Sequence, residues 1–379
     1  MENASETQSP ASHFTEQERE LLAATQQIAD TVLEPNAQAT DRGLRSPALN
    51  LQALADAGLV GVTTPTEWGG QGCSGAFLRD YTEALTGACG TTWFILTQHL
   101  GACSMLATSE NPRLREAYLR DAAQGGHYIG VGFGHLRRPD PVLRAEEVTG
   151  GYVLNGTAPW VTGWPYLAGV IFGAVLPDGE KHVYLYAPAE ESSNLHSSPP
   201  LPLCAMNATA TTEIRCENLF LPAENFVKFS SREQMARGDE GGIAGAVSPP
   251  LGCACGSLKV VRANAAKRRL PAVAQAADQL EAEINRCRTD ARRIADGPKD
   301  TPNYKGAALN ARSWAIELGV RAAHMAVASS SGGANSLDHP AQRLMREAMF
   351  YTVTAQTGDI LTATVERLTR EENKNGVGD

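Results

Sequence analysis

Nowhere in this chain does an apolar run approach the roughly eighteen residues that a bilayer-spanning helix needs, which argues against a helical membrane protein. Positive charge is scarce as well. The 33 Lys and Arg against 42 Asp and Glu leave a formal net charge of -9, so a generic nucleic-acid or anionic-membrane binder is not expected. A polyanionic ligand would need local positive charge, for which Arg137-Arg138, Lys267-Arg268-Arg269 and Arg292-Arg293 are the candidates. None of the eight cysteines forms a C-x-x-C, and no His pair stands near them at zinc-ligand spacing. That pattern implies free thiols in a reducing compartment and no metal site. The stretch from Met1 to His13 is polar and acidic, without the basic and apolar segments of a secretory signal. The expectation is a cytoplasmic protein with neither a nucleic-acid nor a membrane partner.

What is present is pattern. Thr15-Glu16-Gln17-Glu18 has the form of a capping box, in which the Thr15 hydroxyl satisfies a first-turn amide while Glu18 reaches back. Leu21, Leu22, Ile28 and Val32 follow at helical spacing. Ser46 as cap, Pro47 in the first turn and Gly58 at the stop frame a second helix. Residues 65–75 read as a Gly-rich loop, and helical pattern resumes near Phe77 and runs to about Ala123, broken at Asn111-Pro112. The middle third changes character. Asn155-Gly156 predicts a type I′ hairpin turn between 152–154 and 157–162, because that dipeptide accepts positive φ. Strands are predicted at 170–175 and 182–187 around the turn Pro177-Asp178-Gly179, and at 212–220 before Pro222. A Gly-rich connector over 238–245 then leads to helices around 249–270, 272–295, 305–328 and 340–370.

This order predicts an α+β fold: an N-terminal helical domain over 14–125, a central antiparallel β domain over 126–230 and a C-terminal four-helix domain over 231–370. Disordered tails are expected over 1–13 and 371–379.

Four segments, in order, resemble the acyl-CoA dehydrogenase superfamily over nearly the whole chain. Gly58-Leu59 and then Pro65-Thr66-Glu67-Trp68-Gly69-Gly70-Gln71-Gly72 are similar to the family's G-L followed by P-x-x-[YF]-G-G-x-G. Leu154-Asn155-Gly156 with Trp160-Val161-Thr162 resembles its N-G-x-K-x-W-I-T segment. The stretch from Thr212 to Asn225 resembles the strand ending V-P-x-x-N. Gly332-Gly333 and Arg343-Leu344-Met345-Arg346-Glu347-Ala348 resemble the C-terminal G-G and R-L-x-R-D-A.

The resemblance implies FAD as cofactor and a homodimer or homotetramer. Trp160 matches the residue that covers the flavin ring and Thr162 the one that hydrogen-bonds near N5. Arg268 matches the arginine used for the FAD pyrophosphate across the dimer, although the phenylalanine three positions on has become Pro271, and Gln279 matches a later glutamine. Gly332 and Gly333 match the pair that lets the adenosine part approach a partner backbone, and Thr357 matches a threonine that contacts FAD.

Two departures stand out. The family's T-E-P-x-x-G-S-D loop is replaced by a shorter stretch from Gly130 to Pro139, in which His135 could approach the flavin or be structural. The Y-E-G-T segment, whose glutamate abstracts the substrate α-proton, is replaced by Thr354-Ala355-Gln356-Thr357. Ala355 thus stands where the base should be, and a methyl group accepts no proton. Its backbone N–H could still polarise a thioester carbonyl. Some members place the glutamate on the helix opening the C-terminal bundle, where Asp239 and Glu240 are nearest; Glu240 is the weak candidate base. Glu347 replaces a structural aspartate.

Three functions follow from these matches. The first is a flavin-dependent oxidoreductase acting on a CoA or carrier-protein acyl thioester. The second is a flavin-dependent monooxygenase of the same fold, which needs no α-proton base. The third is a non-catalytic dimeric binding or scaffold member. Retention of Trp160, Thr162, Arg268 and Thr357 argues that flavin binding, and with it redox chemistry, survives; loss of the Y-E-G-T glutamate favours the second function, and the altered loop with Pro271 the third.

Overall fold

The expected capping box forms. In this computed structural model, which describes residues 14–370, Glu18 N donates to Thr15 Oγ1 at 3.1 Å and Thr15 N donates to Glu18 Oε2 at 3.0 Å. The tails expected over 1–13 and 371–379 lie outside the described residues. Helix α1 (Glu16–Ile28) continues through a π-helical turn (Ala29–Leu33) into α2 (Glu34–Asp41). It packs with α3 (Ala48–Asp56), α4 (Gly75–Ala88) and α5 (Gly90–Ala107) around Leu33, Leu54, Phe77, Tyr81 and Leu96. The short α6 (Pro112–Leu114) and α7 (Arg120–Ala123), joined by a second π-helical turn, end this helical part.

Eight strands follow: β1 (Ile129–Gly132), β2 (Leu143–Val148), β3 (Gly151–Val161), β4 (Gly169–Val175), β5 (Lys181–Pro188), β6 (Leu195–Ser197), β7 (Thr212–Pro222) and β8 (Phe226–Ser231). They form one sheet in the order β6-β7-β3-β2-β4-β5-β8, with β1 pairing to β4. Most neighbours are antiparallel, but β4 runs parallel to both β1 and β2, so the sheet is mixed.

No hairpin forms at Asn155-Gly156. The turn falls at 149–150, and Asn155-Gly156 lies inside β3, opposite Arg144 and Leu143. The register against β7 slips between Leu154 and Gly156, which marks a bulge. Gly156 has φ 119°, and a Cβ there would stand 2.1 Å from the Val142 carbonyl oxygen, so only glycine permits this strand approach. The Asn155 amide binds Asn218 instead of closing a turn: Asn218 N donates to Asn155 Oδ1 at 2.8 Å. The bulge uses the same residue chemistry that a turn would.

The C-terminal part comprises α8 (Arg232–Gly242), α9 (Ser248–Arg268), α10 (Pro271–Asp296), α11 (Tyr304–Ser330), α12 (Pro340–Val353) and α13 (Gly358–Leu368). Two expectations need correcting here. The Gly-rich connector over 238–245 is helical as far as Gly242, because Ser231 and Gln234 form a capping box that starts α8 upstream of the glycines. The single helix expected over 340–370 is two helices, broken at 354–357. Helices α9, α10 and α11 share a core that includes Leu251, Leu258, Ile284 and Leu318.

Candidate active site

The break between α12 and α13 is built from three local features. Thr354 leaves the helical region with ψ 131°, Ala355 sits at φ 51°, and Thr357 caps α13 by accepting from Ile360 N at 3.3 Å. A left-handed backbone costs an alanine about 1–2 kcal/mol, so surrounding contacts must hold the turn. Arg312 of α11 supplies them. Its Nη2 donates to the carbonyls of Tyr351 at 3.2 Å and Thr354 at 3.1 Å, and its Nη1 donates to Ala246 O. The Ala355 amide has no hydrogen-bond acceptor among the described residues.

Ala355 borders a cavity of about 600 Å³ between α4, α5, α9, α11 and the turn. Trp93 and Phe94 of α5, Leu78 of α4 and Tyr351 of α12 give it an apolar wall. The one carboxylate among its lining residues is Asp296, which accepts from Arg79 Nη2 at 2.7 and 2.9 Å. Glu240 lines a neighbouring cleft of about 340 Å³ with Arg137, Lys305, Gln356 and Thr357. There its carboxylate is 3.7 Å from Lys305 Nζ, while Asp239 is held by Arg137 through two hydrogen bonds of 2.8 and 2.7 Å. The weak candidate base and the Ala355 cavity are thus on different sides of the 354–357 turn.

The remaining residues expected at the site fall into two groups. Trp160 is 57% exposed on a backbone with φ 62°, at the end of β3. Thr162, two residues on, is buried, and its hydroxyl is 3.1 Å from that of Thr211, which is 2.9 Å from that of Thr209. The second group joins α9 to the end of α11. Arg268 Nη1 donates to Ser329 O at 3.0 Å and Ser331 Oγ at 2.9 Å, immediately before Gly332-Gly333 in a 3₁₀ turn (Ser331–Asn335). Gln279 lies apart, on a surface cleft between α10 and α11 with Glu283, Arg321 and His324. Neither Trp160 nor Arg268 lines the two clefts at the 354–357 turn.

His135 takes the structural option. It is buried, with Nε2 2.9 Å from Gly173 O and Nδ1 accepting from Val142 N at 3.3 Å, and burial pulls its pKa down to about 4. Glu347 is equally internal: Arg343 Nη1 donates to it at 2.8 Å, and burial raises its pKa against the pull of that guanidinium. Arg79, Trp93 and Arg312 had no place among the expected site residues. Arg312 carried a sequence signal nonetheless, since it interrupts the small apolar face Ala308, Ala315 and Gly319 at helical spacing. Among the described residues no helix is long and apolar enough to cross a membrane, and no cluster of His, Cys, Asp and Glu suits a metal ion.

Comparison with known proteins agrees with this architecture. Residues 15–126 match the family model described as the acyl-CoA dehydrogenase N-terminal domain. Mitochondrial isovaleryl-CoA dehydrogenase of Solanum tuberosum is 23% identical over 375 residues, covering 92% of this chain and 89% of that one. Butyryl-CoA dehydrogenase of Megasphaera elsdenii superposes with a TM-score of 0.79 at 17% identity, over 94% of this chain and 99% of that chain. A glutaryl-CoA dehydrogenase of Mycobacterium smegmatis, solved in complex with FADH2, also gives 0.79 at 17% identity, over 94% and 95%. Together these matches support membership of the acyl-CoA dehydrogenase superfamily, with the family's N-terminal domain at residues 15–126.

Proposed function

We propose that this chain is a flavin-dependent oxidoreductase acting on an acyl thioester of CoA or a carrier protein. FAD would be held by Trp160, Thr162, Arg268, Gly332, Gly333 and Thr357 in a homodimer or homotetramer. The observation behind the reading is Trp160. An indole more than half exposed, on a backbone that disfavours any side chain, is doubly costly and gains nothing within its own chain. A planar ring system stacked on it would offset both costs. Thr162 fits the same partner. Its hydroxyl sits in a chain of three threonines, so one neighbour can donate to it and leave its own proton for a ring nitrogen.

The glycine pair fits as well. Neither glycine has positive φ, and a Cβ on Gly332 would meet nothing within 4 Å, so their own chain does not require glycine there. A close approach from outside would. Self-association is supported by α13, where Leu361, Val365 and Leu368 share one helical face and are all exposed.

Bound in this way, FAD would supply the two-electron acceptor for C–H oxidation. The chain's own residues supply orientation and electrostatics. The acyl group would lie in the cavity against Trp93 and Phe94, with the thioester carbonyl at the unpaired Ala355 amide. Ala355 supplies no base, so proton removal cannot run from that position.

The visible spectrum of the purified protein, repeated after adding FAD and desalting, tests the cofactor. A retained flavin band, lost in Trp160→Ala while the flavin-free forms of the two proteins melt alike, is expected; a colourless protein ends the flavin reading. Anaerobic addition of acyl-CoA should then bleach the band, and an unbleached, oxygen-reactive reduced flavin would shift the case to a monooxygenase.

A further inference from the structure

Arg312 is 2% exposed and has no carboxylate partner among the described residues. A guanidinium has five N–H donors, and this one gives hydrogen bonds to three carbonyls, while its Nε is buried with no acceptor. Carbonyl oxygens satisfy donors but cancel no charge. An uncompensated buried cation is among the more expensive arrangements in a protein interior. Burial pulls the guanidinium down to about 10, which still leaves it charged at neutral pH.

Arg312 lines the cavity that ends at Ala355, and it is not the only cation there. Arg79 and Lys299 line it too, against the single carboxylate of Asp296. Arg79 spends Nη2 on Asp296, but its Nε is also buried without an acceptor. Two guanidinium N–H groups without partners therefore belong to residues of one cavity, whose wall combines Leu78, Trp93, Phe94 and Tyr351 with the neutral polar Thr82, Thr97 and Gln98. A purely hydrocarbon acyl chain would fill this space while desolvating Arg312 further, with nothing in return.

We propose that the cavity is built for an acyl thioester whose acyl chain ends in a carboxylate, with Arg312 as its buried counter-charge and Arg79 as a second donor. The proposal rests on the thioester reading above and narrows its substrate class. The apolar wall would take the methylene stem, and the terminal acid would meet the cations. Phosphates are the other anions such ligands carry, but they reside on the CoA part common to all acyl-CoA esters. A matched pair of esters therefore isolates the acyl acid.

The test is calorimetric titration of the full-length protein with glutaryl-CoA and adipoyl-CoA against pentanoyl-CoA and hexanoyl-CoA, which match them in chain length and in phosphates. The carboxylated ester of at least one pair should bind about tenfold more tightly or better than its neutral counterpart. Arg312→Met should abolish that preference, weakening the carboxylated ester more than its neutral counterpart, and Arg79→Met should reduce it. Arg312 also supports the 354–357 turn, so Arg312→Lys, which keeps the charge, should retain part of the preference. The wild-type comparison needs no variant to be decisive. Equal binding, or a preference for the neutral esters at both lengths, overturns the proposal and leaves the thioester reading intact. Binding of none of the four overturns the proposal together with the CoA-ester form of that reading.

Discussion

Two arginines of this protein are almost equally buried and are treated in opposite ways. Arg343, near the start of α12, is 3% exposed and ion-paired at 2.8 Å with Glu347 one turn on, and its Nε donates to Gln38. Arg312, under the other end of the same helix, is 2% exposed and meets only carbonyl oxygens. The first charge is closed inside the chain, lines none of the clefts described above, and its natural role is structural: it ties α12 to α2. The second is left open beside a cavity. A fold that can pair one buried arginine could have paired the other, so the difference locates the place where a ligand completes the electrostatics.

Among the buried charges, breaking the closed pair should produce the largest effect. Glu347→Ala leaves Arg343 buried and uncompensated, and a loss of about 3–5 kcal/mol in urea unfolding is expected. A loss under about 1 kcal/mol would mean the pair is not the internal tie described here. A third way to handle buried charge is to give it up, and His99 and His135 do so. Burial lowers both from the usual 6.5 to about 4. Their folded-state pKa values lie below the unfolded ones, so the unfolded chain binds more protons. The stability they contribute is complete above about pH 6.5 and is lost as pH falls towards 4. At pH 5 the two should cost about 2 kcal/mol each, read as a fall in the urea midpoint between pH 7.5 and pH 5. A flat midpoint over that interval would show that the imidazoles are not held neutral.

Opening the unpaired site should cost less than breaking the paired one. Arg312→Met removes the donor from three carbonyls but also removes a desolvated cation, and the net loss should be about 1–2 kcal/mol by the same unfolding measurement. A loss as large as that of Glu347→Ala would make Arg312 a structural residue first, and would remove the asymmetry on which the ligand argument stands.

The two arginines were also unequally legible. Arg343 and Glu347 fell inside a recognisable ordered motif, as did Trp160, Thr162 and Ala355. Local chemistry was read well where one segment decides the outcome: the box at Thr15 and Glu18, and the Pro177-Asp178-Gly179 turn joining β4 to β5. It was misread where a distant strand decides. Asn155-Gly156 has turn chemistry, but the approach of Val142 on one side and Asn218 on the other makes it a bulge within β3. Likewise the glycines over 238–242 are helical because Ser231 and Gln234 start the helix before they are reached. Arg312 belongs to neither class. Its position on the small face of α11 could be counted, but that it closes on carbonyls rather than an acid is a fact of tertiary packing alone.

The smallest expected effect on stability offers the sharpest test of the open regions of the surface. Gly156 and Gly332 can receive the same substitution. At Gly156 an added Cβ would stand 2.1 Å from a carbonyl oxygen of the same chain, on a backbone with positive φ, so Gly156→Ala should unfold the β3 pairing. At Gly332 the Cβ meets nothing within 4 Å and φ is not positive, so Gly332→Ala should change stability by less than about 0.5 kcal/mol. If that glycine serves a close approach by FAD or a second subunit, the flavin-free variant should keep its unfolding free energy within that margin, yet it should lose flavin occupancy or shift to a smaller species in light scattering. Two glycines would then be required for two reasons, one inside the chain and one outside it. If Gly332→Ala keeps both flavin and assembly, the group formed by Arg268, Gly332 and Gly333 is no part of the cofactor site. The proposed flavin contacts would then contract to Trp160, Thr162 and Thr357.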